Sequence, residues 1–183
     1  MNNIYIYLFR KEVQDMHDFQ PCPIEMLDCN PFTKLGKEWA LVTAGSKQNT
    51  NTMTISWGGM GVLWGKDVVY VFIRDSRYTK ELIDHSDFFS LTFLDEKYRK
   101  EMSYCGSHSG RTEDKITNAG LTVGRKHGIP YIDEGNLVFL CQKLSATRIT
   151  EASFLSPEIK DKWYADGDMH TMYVAEIIEV LAR

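Results

Sequence analysis

Apolar residues recur along the chain mainly at the spacing of β-strands. Residues 39–44 form a short apolar run before a Gly-Ser turn, and residues 52–57 alternate polar and apolar side chains. These patterns are typical of a buried strand and a half-buried strand, respectively. Further runs rich in β-branched and aromatic residues predict four more strands, at residues 68–73, 88–94, 137–149 and 172–181.

Short polar stretches with a helical period interrupt these strands. Serine, threonine and aspartate favour the first position of a helix, because their side chains accept hydrogen bonds from its unpaired N–H groups. The expected helix starts are Ser76 or Thr79, Asp95 and Thr112, and the last helix ends near Gly120. Such short, irregularly spaced helices do not fit a doubly wound sheet. The order predicts a mainly β fold with short α insertions, an antiparallel barrel whose closure removes exposed strand edges.

The length of the chain fits one domain with an appended segment. It has 183 residues, of which 43% are hydrophobic, so one core of useful size can be buried. Residues 14–36 mix Pro, Cys, Asp and Asn without a period. Residues 1–36 are therefore predicted to form an N-terminal arm, and residues 37–183 the domain. The role of the arm is open between a lid and a dimer contact.

Charge and hydropathy exclude some classes of protein. A formal net charge of -4 argues against a nucleic-acid binder, because contacts with phosphates need a basic surface. No apolar stretch approaches the roughly 18–20 residues of a membrane span. Residues 1–9 lack the basic leader and the cleavage site of a signal peptide. We expect a cytoplasmic protein without membrane contact.

The cysteines show neither the spacing of a zinc site nor that of a thioredoxin-like motif. They are Cys22, Cys29, Cys105 and Cys141. Reduced thiols and no bound metal are therefore expected. A metal site built from His17, Cys22 and Cys29 is the weaker alternative.

The turn after the strand at residues 68–73 contains the residues that most clearly indicate a binding site. Helix N-termini expose unpaired N–H groups and the positive end of a dipole, so they bind phosphates readily. Two arginines and two hydroxyl groups can add donors, as Arg74, Ser76, Arg77 and Thr79. We predict a site for a terminal phosphate monoester. The alternative is a capped surface helix with solvated arginines.

A polar strand face and a glycine turn lie just before this strand. Thr52, Thr54 and Ser56 share one face, and small hydroxyl groups can bind the edge of a heterocycle without filling its space. Gly58 and the glycines after it would let backbone N–H groups approach a flat ring closely. The alternative is a solvent-facing ladder that leads into an ordinary hairpin.

Three motifs follow one another along the chain. They are Asn51-x-x-Thr54-x-Ser56-Trp57, Arg74-x-Ser76-Arg77-x-Thr79 and Cys105-Gly106-x-x-Ser109-Gly110-Arg111-x-x-x-Lys115. Their order and spacing, together with His170 and the strand after it, resemble the flavin reductase-like, FMN-binding split-barrel family. The resemblance covers the chain from about residue 39 to the C-terminus.

The resemblance implies a Greek-key split β-barrel that forms a homodimer and holds FMN noncovalently near the subunit interface. By matching position, the phosphate would be held by Arg74, Ser76, Arg77 and Thr79. The ring would be lined by Thr54, Ser56, Trp57 and Gly58, with Thr52 on the same strand face. The loop near the cofactor would be formed by Ser109, Gly110 and Arg111, together with Lys115.

Membership would make the protein an oxidoreductase in which the flavin supplies the chemistry and the protein supplies position and electrostatics. Electrons would pass from NAD(P)H through the flavin to an acceptor. His170 is the catalytic candidate, since a neutral imidazole could orient a carboxamide or protonate a reduced flavin. Without a G-x-G-x-x-G fingerprint, a nicotinamide nucleotide would bind only transiently. Two alternatives are an electron-transfer flavoprotein served by a redox protein partner and a non-enzymatic haem or flavin binding module.

Overall fold

The computed structural model of the chain describes residues 18–183. The first part of the predicted arm, the absence of a leader at residues 1–9 and His17 as a metal ligand lie outside these residues. The strands are β1 (Gln20–Pro21), β2 (Ala40–Gly45), β3 (Thr50–Ile55), β4 (Gly58–Leu63), β5 (Lys66–Arg74), β6 (Phe88–Phe93), β7 (Val123–Lys126), β8 (Ile129–Ile132), β9 (Leu137–Arg148) and β10 (His170–Ala182). The α-helices are α1 (Pro31–Thr33), α2 (Tyr78–Asp84), α3 (Arg99–Ser107), α4 (Lys115–Asn118) and α5 (Pro157–Trp163).

Eight of these strands form one antiparallel sheet. Its order is β3-β2-β6-β9-β10-β5-β4, with β1 paired to β10, while β7 and β8 form a separate hairpin. The sheet curls around one core, because apolar side chains from six of its strands meet in a single buried cluster. The end strands β3 and β4 follow each other in the chain, yet they do not pair in the described sheet. The predicted Greek-key split barrel with short helical insertions is confirmed.

Helices α3 and α4 cover the outer face of β2 and β3. Leu41 of β2 packs with Met102 of α3 and Ile116 of α4 in a second buried cluster. Because side chains alternate along a strand, Ile55 faces the barrel core while Thr54 faces the helices and donates to the carbonyl of Met102. Helix α3 is therefore held beside β3.

The glycine segment after residue 57 differs from the prediction of a turn. It forms strand β4, which pairs along β5 in the antiparallel direction. A Cβ atom at Gly59 would overlap the ring of Tyr70, its neighbour on β5. Gly59 is therefore explained by close packing within the sheet, and the approach of a ring to this backbone is not needed to account for it.

Two helices also begin differently from the prediction. Arg77 occupies the position before α2 and makes no side-chain cap, so neither Ser76 nor Thr79 caps this helix. The hydroxyl of Ser76 instead donates to a carboxylate from another segment of the chain. Asp95 precedes the 3-10 turn Glu96–Tyr98, and α3 begins only after that turn.

Of the last two helices, one starts at a later residue than predicted and the other was not predicted. α4 begins after Asp114 rather than at Thr112, because the Asp114 side chain accepts from the N–H of Thr117. Gly120 follows the helix with a φ of +70°, as expected for a glycine past a helix end. Helix α5 was not predicted from the sequence, although Ile159 and Trp163 lie four residues apart.

Backbone strain at Gly45, the last residue of β2, can be tested by substitution. Its φ is +115°, and a Cβ atom there would overlap the carbonyl oxygen of Asn49. Gly45→Ala is expected to lower the free energy of unfolding by about 1–3 kcal/mol, because the backbone must shift. In the control Gly36→Ala, the added Cβ would enter open space within a helical turn. That change should stabilise by about 0.4–1 kcal/mol. Chemical denaturation measures both, and equal effects would contradict strain at Gly45.

Candidate functional site

The split of the barrel opens into a cavity of about 400 Å³, which we call the ring cavity. Its volume lies in the range of about 300–1,000 Å³ typical of small-molecule sites. It is bounded by β3, the link to β4, the end of β5, the start of β10 and the end of α5. The lining residues are Met53, Thr54, Ile55, Ser56, Trp57, Phe72, Arg74, Arg77, Trp163 and His170.

A smaller cavity of about 100 Å³ adjoins the ring cavity, and we call it the anion cavity. The two share Met53 and Arg77 as lining residues. A water molecule occupies about 30 Å³ in the liquid, so the anion cavity has room for a larger polar group. Its other lining residues are Ser76, Tyr78, Thr79, Ser107, His108, Ser109, Gly110 and Lys115.

Two cations of the anion cavity are held by the C-terminal end of α3. Arg77 Nη1 donates to the carbonyl of Gly106 at 2.8 Å. The buried Lys115 Nζ donates to the carbonyls of Cys105 at 2.9 Å and His108 at 3.1 Å. Helix C-termini favour cations, because their carbonyl groups lack partners within the helix.

The charge of these two side chains is not balanced within the cavity. No carboxylate is among the lining residues in the described part of the chain. Burial, and then the nearby Arg77, lowers the pKa of Lys115 to about 8, so the ammonium group is still charged at neutral pH. An anion in this cavity would therefore be favoured by both cations.

Arg74 and Ser76, predicted for the same anion, have other partners. The carboxylate of Asp168 accepts from the N–H of Ser76 at 3.0 Å and from its hydroxyl at 2.7 Å. Arg74 donates to the carbonyls of Asp168 at 2.8 Å and Trp163 at 2.9 Å. The predicted set is thus divided: Ser76, Arg77 and Thr79 line the anion cavity, whereas Arg74 lines the ring cavity and holds the segment after α5.

Asn51 joins two walls of the anion cavity. Its side-chain N–H donates to the hydroxyl of the buried Thr79 at 2.8 Å. A Cβ atom at Gly110 would overlap the Asn51 side chain, so glycine lets the loop after α3 approach β3 closely. Ser109 of this loop, which the resemblance implies to lie near the cofactor, lines the anion cavity.

Arg111 lies beside the anion cavity but is not one of its lining residues. It donates to the carbonyl of Ser76 at 2.8 Å and pairs with the carboxylate of Glu81. Its guanidinium carbon is 5.4 Å from the centre of the Tyr78 ring. These contacts fasten the loop after α3 to the first turn of α2.

The hydroxyl groups of β3 do not form the free row that the sequence suggests. Thr52 is fully buried, and its hydroxyl bonds that of Thr43 at 2.9 Å and donates to the carbonyl of Val42 at 3.1 Å. The Thr54 hydroxyl is used by α3. Thr52 and Gly58 do not line the ring cavity, whereas Thr54, Ser56 and Trp57 do. The hydroxyl groups of Thr52 and Thr54 are thus bound by neighbouring elements, β2 and α3, respectively.

His170 lies in the wall of the ring cavity and is buried. Its Nδ1 is 3.0 Å from the hydroxyl of Tyr164, and its ring centre is 5.1 Å from that of Trp57. Burial, with a smaller effect from the Arg74 cation, lowers its pKa to about 4. The imidazole is therefore neutral at physiological pH.

The sequence did not indicate Trp163 or Asp168 as parts of this site. Trp163 ends α5 and meets the ring of Trp57 edge-on at 5.1 Å between centres. The only local signal was the position of Asp168 two residues before His170. The contact of Asp168 with Ser76 joins residues 92 positions apart, and it depends on the pairing of Arg74 with His170 between β5 and β10.

Comparison with known proteins places this fold and site in a family. Residues 32–183 match the flavin reductase-like domain family, so the chain belongs to that family. A relative from Escherichia coli strain K12, the uncharacterized protein YddH, is 30% identical over 134 residues, which cover 70% of each chain.

Solved structures share the architecture at lower sequence identity. An FMN-binding domain of a flavin reductase-like enzyme from Shewanella baltica has a TM-score of 0.66 at 16% identity, covering 91% of this chain and 78% of that one. A flavoredoxin from Methanosarcina acetivorans has a TM-score of 0.63 at 24% identity, covering 80% and 68%. The predicted family is confirmed, and the Shewanella protein is named as FMN-binding.

No group of three or more His, Cys, Asp or Glu side chains in residues 18–183 is arranged to hold a metal ion. Within the same range, no helix is long and apolar enough to span a membrane.

The lowered pKa of His170 predicts how stability responds to acid. Between its ordinary pKa of 6.5 and about 4, the unfolded chain binds a proton that the folded chain does not. The contribution of His170 to stability is therefore complete above that range and is lost as the pH falls through it. NMR titration of the imidazole should give a midpoint near 4, and His170→Gln should reduce the loss of stability on acidification. A midpoint near 6.5 would contradict this environment.

Proposed function

We propose that the protein binds FMN and acts as an oxidoreductase, with the flavin ring in the ring cavity and the phosphate in the anion cavity. The observation that carries this proposal is the pair of cations Arg77 and Lys115, which line the anion cavity without a carboxylate in the described part of the chain. A phosphate monoester carries close to two negative charges at neutral pH. The ligand and the cavity are thus matched in charge.

The neighbouring proteins support the same ligand. The names of the Shewanella and Thermus thermophilus proteins state that they bind FMN, and the family is described as flavin reductase-like. The size of the ring cavity, about 400 Å³, suits a flat heterocycle, and the anion cavity begins where the two share Arg77. Arg77 would therefore mark the end of the cofactor that carries the phosphate.

The chain would orient the cofactor and shield it from water. Bound FMN supplies hydride and electron transfer, whereas the protein supplies position and electrostatics. The backbone of β3 and the side chains of Ser56 and Trp57 would contact the ring. The edge-on contact of Trp57 with Trp163 forms an aromatic wall that would limit access of water at one end of the cavity.

We propose NAD(P)H as the electron donor, docking against this wall next to His170. A hydroxyl of Tyr164 that donates to Nδ1 of His170 would leave Nε2–H as a donor. That N–H could hold the carboxamide oxygen of a nicotinamide. The low pKa of His170 leaves little imidazolium at pH 7, so orientation of the donor is favoured over protonation of a reduced flavin.

We propose that the protein is a cytoplasmic homodimer. Large apolar side chains are exposed on β4 and the turn after it, including Val62 and Trp64, which are 74% and 64% exposed. Exposed apolar side chains of this kind support an interface with another subunit. The four free cysteines fit a reducing compartment.

A second candidate function is electron transfer served by a redox protein, without a site for NAD(P)H. The exposed parts of Trp57 and Trp163, 37% and 44% of these residues, favour it, because they present apolar surface at the edge of the ring cavity. A protein partner could approach a flavin there without a nicotinamide pocket.

The role of Arg77 can be tested by comparing two flavins. Arg77→Ala should weaken FMN binding by about 1.5–3 kcal/mol, because it removes a charge-assisted bond to phosphate, and riboflavin binding should barely change. Flavin fluorescence titration measures both affinities. Arg148→Ala is the matched control, since this arginine pairs with Asp75 and lines neither cavity. Equal losses for both flavins would show that Arg77 does not recognise the phosphate.

The proposed electron donor, NAD(P)H, can be tested by steady-state kinetics. We expect NAD(P)H oxidation in the presence of FMN, and His170→Ala should raise KM for the nicotinamide by about tenfold if one hydrogen bond of about 1.4 kcal/mol is lost. FMN affinity measured in parallel controls for damage to the cavity. If the wild-type protein shows no turnover at millimolar donor while FMN is bound, the NAD(P)H proposal is wrong and transfer from a protein partner is favoured.

A further inference from the structure

The buried hydroxyl group of Thr79 has a donor but no acceptor in the described part of the chain. Thr79 lines the anion cavity and is only 1% exposed. Its Oγ1 accepts from the side-chain N–H of Asn51 at 2.8 Å, and no oxygen within residues 18–183 accepts the hydrogen of this hydroxyl. A buried polar hydrogen without an acceptor destabilises the folded chain. An acceptor inside the anion cavity would therefore be favoured.

The other hydroxyl groups that line the anion cavity differ from Thr79 in this respect. Those of Ser76, Tyr78 and Ser107 donate to protein oxygens, and Ser109 is exposed to water. Their hydrogens are thus satisfied without a ligand. Among the hydroxyl groups of this cavity, that of Thr79 is the one whose hydrogen needs an acceptor on a bound molecule.

Asn51 decides the direction of this hydrogen, although it does not itself line the anion cavity. A hydroxyl group has one hydrogen and two lone pairs, and the N–H of Asn51 occupies a lone pair of Thr79 Oγ1. The hydrogen cannot point toward Asn51, because two hydrogens would then meet. Asn51 is 3% exposed, and the missing side chain at Gly110 leaves the space that its amide fills. The amide therefore holds the hydroxyl of Thr79 from behind.

We propose that Asn51 is a positioning residue for the cofactor phosphate, because it directs the hydroxyl hydrogen of Thr79 to a phosphate oxygen. This inference rests on the proposed function, which places the phosphate in the anion cavity. The Asn51 amide is neutral, so it acts through Thr79 and not through charge, unlike Arg77 and Lys115. It also gives a role to the first residue of the motif Asn51-x-x-Thr54-x-Ser56-Trp57, which the two cavities leave without one.

A double-mutant cycle tests this coupling, with FMN and riboflavin affinities measured by flavin fluorescence titration. Asn51→Leu and Thr79→Val remove the polar groups with little change of shape. Thr79→Val should weaken FMN binding about tenfold, because a hydrogen bond to a charged group is lost, and Thr79→Ser should restore most of it. Asn51→Leu should weaken FMN about threefold, but by less than about 1.5-fold in the presence of Thr79→Val. Riboflavin binding should change less than about twofold throughout.

Thr92→Val is the matched control, since Thr92 is a buried threonine of β6 that lines neither cavity. It should leave both affinities unchanged. Thermal unfolding without flavin shows whether each variant folds. If Asn51→Leu does not fold, Asn51→Asp keeps the shape and serves the same cycle. A carboxylate would accept from Thr79 and turn its hydrogen away, so Asn51→Asp should weaken FMN more in the wild-type background than together with Thr79→Val.

The outcomes separate this inference from the proposed function. If the wild-type protein does not bind FMN, or binds it no more tightly than riboflavin, the proposed function fails and the inference fails with it. If FMN is preferred but the change at Asn51 weakens it equally with and without the Thr79 hydroxyl, or weakens both flavins equally, Asn51 has only a structural role. In that case the inference alone is overturned.

Discussion

The site depends on how two cations meet the C-terminal end of α3. Arg77 and Lys115 come from different parts of the chain, and both donate to carbonyl groups of the last turn of α3 or the residue after it. Those carbonyls satisfy part of the hydrogen-bonding capacity of the two side chains but carry no full negative charge. A buried positive charge without a carboxylate partner is costly, and an anion at this point would offset that cost.

The placement of α3 depends in turn on the alternation along β3. One face of this strand supplies Ile55 to the barrel core, and the other supplies Thr54 to the helix. Since the strand is used on both faces, its hydroxyl groups are not free for a ligand. The last residues of β3 and its link to β4 line the ring cavity, at the place where the barrel is split and backbone pairing stops.

Hydrogen bonds of Arg74 hold the other side of the ring cavity together. Arg74 binds the carbonyls of Trp163 and Asp168, and this holds the end of α5 and the segment before β10 against β5. The Arg74 cation also lies near His170 and adds to the effect of burial on that imidazole. The same arginine therefore shapes the cavity and adds to the burial that lowers the pKa of His170. These contacts explain why an arginine predicted to bind phosphate is engaged elsewhere.

The sequence by itself determined six of the ten strands in the described residues, the mainly β class and the motif positions that contain Arg77, Ser109 and Lys115. These features depend on local period and residue type, which a short window of sequence contains. Tertiary structure alone decided which of the predicted groups are available. Asp168 takes the donors of Ser76 because the register of β5 with β10 places Arg74 opposite His170, and Thr52 is closed off because β2 lies beside it. Pairings between strands so far apart in the chain arise from the packing of the whole barrel, and no local pattern encodes them.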